Sequence, residues 1–204
     1  MKRRFFSAAL IASLICSVSL TGCSKKYDSP EAVFEAAKAA AEKEDVEAFL
    51  KCMTEGTQEM FAGTMAMSAI TMKQAGGLLK AVGGKEDKEA FENMSAVLDK
   101  HGLTDEYIKG LGGVRKVSKP QGVLTELLKP VKDKPAFVAD IMKALEPIQK
   151  DTGIPKDVFA GELSNVKING DSATAVVKDS FPRPLAFKKV DGSWLIDMGA
   201  ISFK

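Results

Sequence analysis

One histidine, one tryptophan, two tyrosines and three cysteines are all that this 204-residue chain holds of imidazole, indole, phenol and thiol side chains. A single histidine excludes His-rich metal sites and the paired-histidine HExxH zinc arrangement. A Ser-His-Asp triad would have to use His101 itself, and no Gly-x-Ser-x-Gly elbow presents a serine. An excess of one charge is missing too. There are 29 Lys and Arg against 27 Asp and Glu, and if Lys2, Arg3 and Arg4 are removed in processing, 26 cations face 27 anions, a formal charge of −1. A well-mixed, near-neutral chain lacks the basic footprint of a nucleic-acid binder. Low-complexity tracts are absent, and 45% hydrophobic with 27% charged residues excludes a disordered or fibrous chain. What is present suffices for one domain with a real core.

The longest apolar run is at the N-terminus. Met1-Lys2-Arg3-Arg4 precedes a stretch of apolar and small residues from Phe5 to Leu20. It is too short for a comfortable membrane span, which needs about 20 apolar residues, and has the plan of a secretory signal. Its end, Leu20-Thr21-Gly22-Cys23, resembles the lipobox of bacterial lipoproteins. The resemblance implies that residues 1–22 are removed and that Cys23 becomes the first mature residue, with diacylglycerol on its sulfur. It also implies a periplasm-facing, membrane-anchored protein. In that family Asp directly after the cysteine resembles an inner-membrane retention signal. Ser24 stands here, which implies the outer membrane. Each buried CH₂ contributes about 0.8 kcal/mol, and two chains hold stably where one holds marginally. With Cys16 removed and Cys23 lipidated, Cys52 is the one cysteine left, so no internal disulfide can form and a buried, inert thiol is expected.

Residues 23–28 read as a tether and 29–204 as one α+β domain with a helical insertion at about 56–150. Ser29-Pro30-Glu31 opens a helix, with Ser29 as N-cap and Pro30 at the first helical position. Val33, Phe34, Ala37, Ala40 and Ala41 share its apolar face. Asp45 caps a second helix over 46–53. Helices are predicted over 57–74, 86–101, 104–111, 121–128 and 135–149, with breaks at Gly76-Gly77 and Gly83-Gly84, a stop at Gly102, and Pro147 distorting the last turn. After Pro155 the period changes to that of strands, at 163–168, 172–178, 185–190 and 193–197. The turns Asn169-Gly170-Asp171 and Asp191-Gly192 make two hairpins and hence a four-strand antiparallel meander, which needs helix on one face.

The segments from Ser29-Pro30-Glu31-Ala32-Val33 to Asp45-Val46-Glu47-Ala48-Phe49, with Gly170-Asp171-Ser172-Ala173-Thr174-Ala175-Val176-Val177 and Asp191-Gly192-Ser193-Trp194-Leu195-Ile196-Asp197, resemble the nuclear-transport-factor-2-like (cystatin-like cone) superfamily, in particular its small bacterial lipoproteins. The resemblance implies a sheet wrapped on the first helix, able to enclose a cavity, and an isomerase- or hydratase-like alternative. No position of this chain matches the acidic and tyrosyl groups of its enzymes. Tyr27 lies in the tether and Tyr107 in the middle helices.

Few residues are candidates for chemistry. His101 ends a helix before Gly102, where a cation suits the dipole. Met53, Met60 and Met67 are spaced by seven, as are Met65 and Met72, beside Cys52. Soft sulfur at that spacing suits Cu(I), but it is equally a buried helix face filled by an adaptable side chain, or an apolar groove for a partner. Gly110-x-Gly112-Gly113 lacks the strand and the Lys-Ser/Thr of a phosphate loop and reads as a hinge. Trp194 and Asp197 lie on the terminal strand, and a cavity lined by that strand would make Asp197 a buried acid. Asp191 is turn chemistry, and Lys188-Lys189 reads as an exposed strand or its edge. The expectation is a non-enzymatic binding module attached to a membrane through Cys23. It would meet an envelope protein or a small apolar ligand, with Trp194, Asp197, Met60 and Met67 the candidate contacts, no nucleic-acid partner, and neither metal nor cofactor.

Overall fold

A computed structural model of the chain describes residues 26–82, 84–111, 120–148, 154, 156–178 and 184–200. The signal, the lipobox and Cys23 lie outside the described residues, as do Gly83, Gly112-Gly113, Pro155 and Pro182. The chain is a mixed helical and sheet protein whose antiparallel sheet follows its helices. Helices α1 (Pro30–Glu42) and α2 (Val46–Lys51) meet at a corner where Glu44 takes a φ of +57°. Both are capped as expected: the Ser29 side chain accepts from Ala32 N–H and the Asp45 side chain from Ala48 N–H. Then come α3 (Glu55–Val82), α4 (Lys85–Lys100), α5 (Asp105–Gly110), α6 (Pro120–Leu127), α7 (Lys134–Leu145) and the short α8 (Lys156–Phe159). Strands β1 (Leu163–Asn169), β2 (Ser172–Val177), β3 (Leu185–Val190) and β4 (Ser193–Ile196) form a meander in the order β1-β2-β3-β4.

The helical expectations hold in outline and differ in three places. Gly76-Gly77 does not interrupt α3, which runs 28 residues to Val82. A long helix packed on α4, α6 and α7 absorbs the roughly 1 kcal/mol that each interior glycine costs relative to alanine. The second helix ends at Lys51, before Met53, because residues 52–54 turn out to pair with β4. Pro147 lies beyond α7, which stops at Leu145 with Glu146 as its C-cap. Gly102 does stop α4, with a φ of +83° that a side chain rarely adopts.

One buried cluster joins the helices and the sheet. On the sheet side Phe159 sits between Phe34 (5.7 Å between ring centroids) and Phe49 (5.1 Å, edge-on), over a sheet face of Ala173, Ala175, Val177, Leu185, Phe187, Trp194 and Ile196. The strict exposed–buried alternation of β2 is the period-2 signature of a sheet covered on one side. On the helical side the buried line of α3 is Ala62, Ala66, Ala69 and Ile70, and Gly63 admits Leu124 of α6 so closely that a Cβ would meet its Cδ2 at 2.8 Å. Over the described side chains of α3 the buried line is thus mostly small, with Ile70 its one large member. Met60, Phe61, Met65 and Met72 are half-buried and Met67 is 47% exposed.

Candidate functional site

The edge of the sheet formed by β4 receives two other pieces of chain. Residues 52–54 lie beside it in a parallel bridge: Ile196 N–H donates to Cys52 O and Thr54 N–H to Ile196 O, each at 2.9 Å. Just before α1, Tyr27 docks on the same edge. Trp194 N–H donates to Tyr27 O at 2.9 Å, and Tyr27 N–H donates to Ser193 Oγ at 3.0 Å. The Tyr27 hydroxyl lies 3.4 Å from Cys52 Sγ, and the Cys52 thiol is 3.4 Å from Ala48 O. Burial, then the hydrogen bond to Cys52 and its charge, push the Tyr27 phenol well above its ordinary pKa, so it stays neutral at any physiological pH. Tyr27 is thus part of the folded body, where a tether residue was expected. Cys52 is buried, as expected of an inert thiol.

The other candidates occupy structural positions. Trp194 is 4% exposed on the inner sheet face, and the Lys189 ammonium sits 5.9 Å from its ring centroid. Asp197 leaves the sheet rather than entering a cavity. Its Oδ1 accepts from Thr54 Oγ1 (3.3 Å) and Gly199 N–H (3.2 Å). Thr54 caps α3 through Thr57 N–H, and the fully buried Thr57 hydroxyl accepts from Met198 N–H, so this polar knot fastens the start of α3 to the end of the sheet. Neither the threonines nor Gln58, which donates to Leu50 O and Met53 O, stands out in the sequence, because each bond joins segments remote from one another or serves a loop. Met60 and Met67 are separated by roughly 10 Å along α3 at 1.5 Å per residue. Met53 belongs to the bridge with β4 and is fully buried, so the three methionines spaced by seven do not share one environment.

A groove of about 650 Å³ runs between α4 and α7, with Glu89, Asn93, Ala96 and Val97 on one wall and Asp140, Lys143, Ala144, Glu146 and Pro147 on the other. Asp140 closes one end, accepting from Lys100 Nζ at 2.7 Å and lying 2.7 Å from His101 Nε2, whose ring meets Phe137 edge-on. Burial would raise the Asp140 pKa, but hydrogen bonds and charge from Lys100 and His101 prevail and hold it below the usual carboxylate range. The partner of His101 is thus a carboxylate, beyond the helix dipole expected. Charged and amide side chains (Glu89, Asn93, Asp140, Lys143 and Glu146) make up more than half of its lining residues, with Ala96, Val97, Ala144 and Pro147 between them, so the groove is an open, largely polar surface.

Among the described residues no three His, Cys, Asp or Glu side chains cluster as metal ligands, and no helix is long and apolar enough to cross a membrane. Comparison of the chain with protein-family models, curated proteins and solved structures finds no match.

Proposed function

We propose that the chain is a lipoprotein of the bacterial envelope, held to the outer membrane through Cys23, facing the periplasm and acting as a non-enzymatic binding module. The junction carries the reading: the lipobox ends at Cys23, and only four residues later Tyr27 is bonded to β4. A signal that stops this close to a docked residue leaves no room for a longer processed segment. The likeness to the nuclear-transport-factor-2-like superfamily belongs to the same proposal, supported by α1 lying against the meander. A catalytic cone would need space over the sheet. Among the described residues the inner face is instead filled by Phe34, Phe49, Phe159, Phe187 and Trp194. The groove between α4 and α7 is the surface offered to a partner or small ligand.

Fractionation of cells producing the wild type and Cys23→Ala tests the attachment. The wild type is expected in the membrane fraction, released by detergent, and the variant in the soluble fraction. A variant that stays membrane-bound as before contradicts the proposal.

A further inference from the structure

The leash is short and its docking point is fixed. Four residues, fully extended, span at most about 14 Å from Cys23 to Tyr27. Of that, roughly 5–8 Å is used in crossing the headgroup layer from the glycerol region. A body of about 180 residues has a radius of gyration of about 16 Å, so the leash is shorter than the body's own radius. Tyr27 cannot swing, because consecutive residues of β4 grip both its N–H and its carbonyl, and Lys26 Nζ lies beside Gly192 in the β3–β4 turn. That turn is a tight one, with positive φ at both Asp191 and Gly192.

Resting on the lipid-anchored reading, we infer that the β3–β4 hairpin end of the sheet is the face held against the phospholipid headgroups. Lys26, Lys188, Lys189 and the exposed Val190 are at this end. Asp171, whose carbonyl accepts from Lys189 N–H, and Asp191 of the turn are there as well, with Asp28 next to Tyr27, so three aspartates balance the three lysines. The leash, rather than attraction to anionic lipid, sets the orientation. The α4–α7 groove belongs to helices that pack on one another and on α3, apart from the hairpin end.

Trp194, the only tryptophan and the immediate neighbour of the docking point, is a built-in reporter. The full lipidated protein is reconstituted into phosphatidylethanolamine–phosphatidylglycerol vesicles containing a dansyl-headgroup lipid, with Trp194→Phe as background. Energy transfer from Trp194 should be strong and should persist in about 1 M salt, where screening acts within about 3 Å. Inserting twenty Gly/Ser residues between Ser24 and Lys25 gives a leash of roughly 25 Å r.m.s. and should lower the transfer at least about threefold. Flotation with the vesicles but transfer no greater than in the lengthened variant overturns the orientation alone, as does transfer abolished by salt. Failure of the wild type to float overturns the anchor and this inference with it.

Discussion

The sheet and the helix α3 bury their apolar surface with side chains of different size. Around the sheet, large rings interlock: Phe34, Phe49, Phe159, Phe187 and Trp194 fill the space under the meander, and backbone pairing with Tyr27 and residues 52–54 closes the β4 edge. Along α3, Ala62, Gly63, Ala66 and Ala69 face inward with Ile70, and Met60, Met65, Met67 and Met72 lie at the rim. The sheet side is held by ring volume, whereas along α3 small residues admit neighbouring side chains such as Leu124. A deletion should therefore hurt the first most, and an enlargement the second.

That contrast can be broken by substitution. The largest effect is expected from Phe34→Ala, which empties a fully buried site and should lower unfolding free energy in denaturant titration by about 3–5 kcal/mol. A cost below about 1 kcal/mol would mean that the aromatic cluster is not the keystone of the sheet side. Next is Ala66→Met, where overpacking should cost about 1–3 kcal/mol, while the neighbouring Met67→Ala should stay within about 0.5 kcal/mol. If that pair came out reversed, the methionines and not the alanines would be the core of α3. A smaller cost than that of Ala66→Met is expected from Asp140→Asn, about 1 kcal/mol at neutral pH for a partly exposed ion pair. Because folding lowers the Asp140 pKa, its stabilisation is present above the ordinary value of about 3.9 and is lost as pH falls through the folded value. Wild type and variant should thus converge below about pH 4 in thermal melts. A gap that stays constant down to pH 3 would remove the Lys100–His101–Asp140 interaction from the account.

Much of the fold was legible because it is written locally. Ser29, Asp45 and Thr104 cap the helices they precede, Gly102 ends α4, and Asn169-Gly170 and Asp191-Gly192 sit at the two hairpin turns. What escaped the sequence is non-local. The burial of α3 follows from how many helices surround it, and its small residues carry a weaker periodic signal than its methionines. Tyr27 in a polar stretch gives no hint that β4 needs an edge partner. Phe159 lies in a four-residue helix too short for any period to show. Of the candidate contacts, Trp194 and Asp197 turn out to fasten the fold. The α4–α7 groove is assembled from two helices about 40 residues apart in sequence, as reflected by the 39-residue separation of His101 and Asp140.

Intact-mass analysis of the mature protein, purified in detergent from its native membrane, bears most directly on the attachment at Cys23. A lipid-anchored protein begins at Cys23 and outweighs its amino acids by a thioether-linked diacylglycerol on that residue. A bare residue 23, or a chain that still carries residues 1–22, would contradict it.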